Sequence, residues 1–107
     1  MNDREYDELA DATLLAVEEA IEQLEVDLDY ESMGGKLDIT FADGSKIIIN
    51  KQPPLHQLWI ATKFNGHHCE WQQDKWIDNR TGLEFWVLIN DAASKQAGVA
   101  IQLEPTA

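Results

Sequence analysis

Cysteine, positive charge and long apolar runs are all scarce in this chain. The single Cys69 has no partner for an internal disulfide, and Met1 to Ala10 lack the basic and apolar regions of a secretory signal; together these predict a cytoplasmic protein. Eight Lys and Arg stand against twenty Asp and Glu, a net charge of −12. Nucleic acid and anionic membrane surfaces are therefore excluded as main partners, because both are held by clustered cations. No apolar run approaches the ~20 residues needed to cross a bilayer. Repeats and Pro/Ser-rich linkers are missing too, so the 107 residues are read as one domain, 1–107. Without a glycine-rich phosphate loop or a legible Ser/His/Asp or Cys/His constellation, the sequence predicts no enzymatic active site.

What is abundant is acid, and it is gathered at one end. Twelve of the twenty carboxylates lie between Asp3 and Glu31 against the single Arg4, so this stretch carries −11 of the −12. At 100° per residue, Asp11, Glu18, Glu22 and Glu25 share one side of a helix from about Asp3 to Leu24, capped by Asn2 or Asp3. Tyr6, Leu9, Thr13, Val17, Ala20, Ile21 and Leu24 share the other. Glu25 to Glu31 then alternates acid with Val26, Leu28 and Tyr30, which predicts a charged edge strand continuing the ridge.

Alternating apolar residues and turn signals mark the middle of the chain. Gly34-Gly35, Asp43-Gly44, Asn65-Gly66 and Gln73-Asp74 separate strands around Leu37 to Phe41, Lys46 to Asn50, Leu55 to Thr62, His67 to Gln72 and Lys75 to Asp78, with Pro53-Pro54 as an extended break. Thr81-Gly82-Leu83-Glu84 reads as a capping box opening a second helix, which buries Phe85, Leu88, Ile89, Ala92, Ala93 and Gln96 and stops at Gly98. Val99, Ile101 and Leu103 form an extended tail. The fold class is α+β: a two-layer sandwich with both helices on one face of a roughly six-stranded, mainly antiparallel sheet.

Two surfaces stand out. Charge runs are commonly just solvated faces, but like charges at Glu18/Glu22 and Glu22/Glu25 repel by ~0.2–0.5 kcal/mol per pair. Hard cations with oxygen ligands relieve that repulsion, as a basic protein would, and open carboxylates bind metal weakly. On the strand around Trp59, Leu58 and Ile60 face the helices, which puts Gln57 and Trp59 on the uncovered face. There an exposed tryptophan either packs on a half-wet sheet or anchors an interface. His67, His68 and Cys69 alternate faces and cannot chelate one ion together; Cys69 is read as core.

The acidic helix ending in Glu18-Glu19, the run Asp43-Gly44-Ser45-Lys46-Ile47-Ile48-Ile49-Asn50, the run Pro54-Leu55-His56-Gln57-Leu58-Trp59-Ile60-Ala61-Thr62, and Trp76-Ile77 with Arg80-Thr81-Gly82 and Phe85-Trp86 resemble the frataxin family over nearly the whole chain. The resemblance implies an α/β sandwich and a non-enzymatic regulator or adaptor of iron–sulfur cluster assembly. It implies weak surface binding of ferrous or ferric iron, or other divalent or trivalent cations, by Glu18, Glu19, Glu22, Glu25, Asp27 and Asp29, to which the helical wheel adds Asp11. It further implies docking onto a cysteine desulfurase and its scaffold protein through Glu18, Glu19, Glu22, Asn50, Gln57 and Trp59. A monomer is expected, with iron-dependent oligomers as the alternative. The competing functions are an iron chaperone or store with ferroxidase-like activity, and a metal-independent acidic interaction domain. Gln23, His67 and Cys69 depart from the family pattern.

Overall fold

Helix α1, Asp3–Glu22, opens the chain in a computed structural model that describes residues 1–105. Asn2 caps it, its side-chain oxygen accepting from the Glu5 amide at 2.8 Å, and Asp3 and Glu5 lie in the first turn, where the helix dipole favours negative charge. Its buried line is Tyr6, Ala10, Leu14, Val17, Ala20 and Ile21; Leu9, Thr13 and Leu24, expected on that face, are only half-buried. Leu15 stays out among the acids, 55% exposed.

Among the described residues six strands follow: β1 Asp29–Met33, β2 Lys36–Thr40, β3 Lys46–Gln52, β4 Gln57–Ala61, β5 Gly66–Gln72 and β6 Lys75–Asp78. They lie in the sheet in chain order, each antiparallel to the next. Helix α2, Phe85–Ala97, shares the helical layer with α1. Between the layers lie Leu37, Ile39, Ile47, Ile49, Leu58, Ile60, Cys69 and Trp76, all at most 3% exposed. Behind α2, Ile101 and Leu103 of the tail are buried as the alternation predicts. Gly98 closes α2 with a left-handed backbone (φ 74°), its amide donating to the Ser94 carbonyl.

Three local expectations are corrected. Glu25 to Leu28 forms a bend rather than the first half of a strand, because β2 ends at Thr40 and pairs only as far back as Asp29. Pro53–Leu55 is a short 3-10 turn and His56 is left-handed (φ 51°), so β4 begins at Gln57 and not at Leu55. The capping box does not form. Glu84 itself caps α2, accepting from the Trp86 amide at 3.0 Å, while Thr81 donates to buried Asp78 at 2.6 Å.

Candidate functional site: an acidic ridge and a tryptophan-bearing sheet face

The carboxylates of α1 divide into two groups. Lys51, reaching from β3 with its side chain only 14% exposed, pairs with Asp7 at 3.1 Å and Asp11 at 2.8 Å, and Asp3 lies 2.7 Å from the His56 ring. Burial works against the Lys51 charge, yet the hydrogen bonds it donates to Asp11 and Asp7 outweigh that and raise its pKa. The N-terminal acids thus fasten α1 to the sheet. Asp11, which the helical wheel groups with the ridge, belongs to this fastening because its opposite charge arrives from a residue forty positions away.

The second group faces outwards. Glu18 and Glu19 are half-buried on the last turns of α1, and Glu22 accepts a short hydrogen bond from the Tyr30 hydroxyl of β1. That bond pushes the Tyr30 hydroxyl up to about 12. Glu25 and Asp27 sit exposed on the bend, and Asp29 starts the edge strand. Alternation turns Asp29 and Glu31 away from Tyr30 onto the open face, where Glu31 stands opposite Asp38. The acid therefore wraps around the edge of the sheet. Among the described residues no three His, Cys, Asp or Glu side chains converge to hold a metal ion. Any cation bound here would be met by one or two carboxylates and water.

The open face carries the other surface. Register places Lys36, Asn50, Trp59 and His68 side by side in one row across four strands. They line a concavity of about 450 Å³ together with Ile48 and Ala61. Trp59 is half-buried rather than exposed as expected: its ring stacks on His68, centroids 4.2 Å apart and planes 12° apart, and its Nε1 donates to Gln57 Oε1 at 2.7 Å. Gln57 is itself buried and donates to Glu70 at 2.8 Å. Its role on this face is to orient Trp59. Sequence reasoning missed Lys36 and His68: a two-residue turn at Asn65-Gly66 would pair Trp59 with Gln72, whereas the turn closes from Thr62 to Asn65 and Ala61 pairs with Gly66, which brings His68 beside Trp59.

A family model for the frataxin-like domain matches residues 1–99. The chain belongs to the frataxin-like family. It is 59% identical over 101 residues, 94% of each chain, to the iron-sulfur cluster assembly protein CyaY of Pseudoalteromonas atlantica. The solved frataxin of Psychromonas ingrahamii superimposes with a TM-score of 0.89 at 43% identity, covering 95% of this chain and 97% of that one. Trimeric frataxin of Saccharomyces cerevisiae, solved complexed with ferrous iron, shares the fold at a TM-score of 0.68 and 22% identity, over 92% of this chain and 88% of its own. In this family member the two helices and the six-stranded antiparallel sheet are those of its solved relatives. No described helix is long and apolar enough to cross a membrane.

Proposed function

We propose that this frataxin-like chain is a non-enzymatic, iron-binding regulator of cytoplasmic iron–sulfur cluster assembly, acting as a single-domain monomer that bridges a cysteine desulfurase and its scaffold protein. The name of its 59% identical relative supports the assembly role, and the ferrous complex of the yeast relative supports iron as the cargo. The observation that carries the reading is the division of the carboxylates. Asp7 and Asp11 pair with Lys51 and Asp3 meets His56, whereas Glu18, Glu25, Asp27 and Asp29 make none of these ion pairs and Glu22 meets the Tyr30 hydroxyl rather than a cation. This outward group suits a basic desulfurase surface and weakly held ferrous or ferric iron. Asn50 and Trp59, oriented by Gln57, offer the scaffold a second surface on the open sheet face.

The test is a desulfurase assay with scaffold present. Reversing Glu18, Glu19 and Glu22 to Lys is expected to abolish capture of the desulfurase and to change the rate of cluster formation. Unchanged capture and rate would overturn the proposal. Trp59→Ala is expected to weaken scaffold retention while desulfurase binding through the ridge persists.

A further inference from the structure

Three of the four tryptophans meet at one place, away from both surfaces just described. A cleft of about 340 Å³ between the middle of α1, the β5–β6 hairpin and the start of α2 is walled by Trp71, Trp76 and Trp86, with Asp74, Lys75 and Glu84 as its charged lining. Trp76 is buried and fixed: its Nε1 donates to Thr13 Oγ1 at 3.0 Å, and Thr13 in turn donates to the Leu9 carbonyl. Trp71 stands edge-to-face on Trp76, with ring centroids 5.3 Å apart. Trp86 is held through its amide by Glu84 and by an edge-to-face contact with Phe85. Trp71 and Trp86 nevertheless remain half-buried, leaving indole surface open to the cleft.

We propose that this cleft binds the guanidinium group of an arginine carried by a partner protein. Indole faces attract cations, and a flat guanidinium both stacks on them and forks to carboxylates, which a compact ammonium cannot do. Glu84 uses Oε2 on the Trp86 amide and keeps Oε1 to accept from a ligand. Asp74, exposed at the left-handed turn between β5 and β6 (φ 63°), supplies the second carboxylate. Lys75 is the one opposing charge; it is exposed at the start of β6, and the two carboxylates outnumber it. The net charge of −12 adds long-range attraction for a cation and repels an anion.

The experiment titrates acetyl-arginine amide into the isotope-labelled full-length protein and follows the indole N–H signals of Trp71, Trp86 and Trp59. Saturable shifts at Trp71 and Trp86, with Trp59 unmoved, are expected. Acetyl-lysine amide should bind more weakly by about threefold or more, and the uncharged isostere acetyl-citrulline amide should produce no saturable shift. Trp71→Leu should remove the response while the Trp59 signal keeps its native position. Asp74→Asn, on an exposed turn, should weaken it by about threefold with the fold intact, the size expected of an exposed ion pair. Equal response to arginine and lysine, equal or tighter binding of tetramethylammonium, or the absence of a saturable response would each overturn the assignment. Because no ridge residue lines this cleft, its failure leaves the desulfurase reading standing, and the reverse also holds.

Discussion

The Tyr6 hydroxyl donates to the Gln57 carbonyl at 2.7 Å and accepts from the Gln52 amide at 2.9 Å. One side chain of α1 thereby closes the gap that the Pro53–Leu55 turn opens between β3 and β4. Tyr6→Phe keeps the ring, which is only 1% exposed and stacks on His56 at 5.1 Å, and removes only this bridge. A buried carbonyl is then left without its partner, so a loss of about 1–3 kcal/mol is expected. Urea denaturation measures it, and an unchanged midpoint would show that water replaces the hydroxyl.

Asp78 makes stability depend on acid. Its side chain is 1% exposed, and burial alone would raise its pKa; hydrogen bonds from Thr81 and His67 and the Arg80 amide outweigh that and hold it at about 2, against 3.8 for the free group. The native state therefore favours the ionised form. Its contribution is fully present above pH 3.8 and disappears as the pH falls through about 2. Asp78→Asn should cost roughly 2 kcal/mol at pH 7, with the difference from the parent shrinking towards pH 2. A difference that stays constant across that range would refute the assignment.

The tail is clasped by two side chains of α2. Asn90 donates to the Leu103 carbonyl at 3.0 Å and accepts from its amide at 2.6 Å, while Ser94 exchanges hydrogen bonds with the Ile101 amide and carbonyl at 2.9 and 3.2 Å. Asn90→Ala should accelerate hydrogen exchange at the Leu103 amide by about tenfold, the equivalent of ~1.4 kcal/mol. Exchange at the Ile49 amide in the sheet should change much less. Equal acceleration at both sites would mean that the clasp governs global rather than local opening.

Cys69 is fully buried, and burial pushes its thiol up to about 12, with Asp78 and Glu84 adding to the shift. Native protein at pH 8 should resist aromatic disulfide and maleimide reagents on the timescale in which urea-unfolded protein reacts completely. Rapid labelling of native protein would contradict that burial.

Element order, strand pairing and the two helix stripes could be read from the chain because alternation and turn chemistry are local. Leu58 and Ile60 fixed which way Trp59 faces. The depth of Trp59 was not local: it depends on His68 across the hairpin and on Gln57, whose amide is turned sideways to Trp59 and Glu70. Asp11 was grouped with the ridge for the same reason, since a helical wheel shows neighbours on the helix and not Lys51 on β3. At Thr81 the local pattern was overruled by tertiary structure. A buried carboxylate three residues back claims the hydroxyl, and the helix starts one turn later on Glu84.

Strands laid down in chain order let each hairpin close as soon as it is synthesised, but α1 is made first and must wait. The groups that receive Tyr6 lie 46 and 51 residues downstream, so the N-terminal turns of α1 lack this anchor until about half the chain has left the ribosome. Limited proteolysis of stalled chains should find α1 protected only once β4 has emerged.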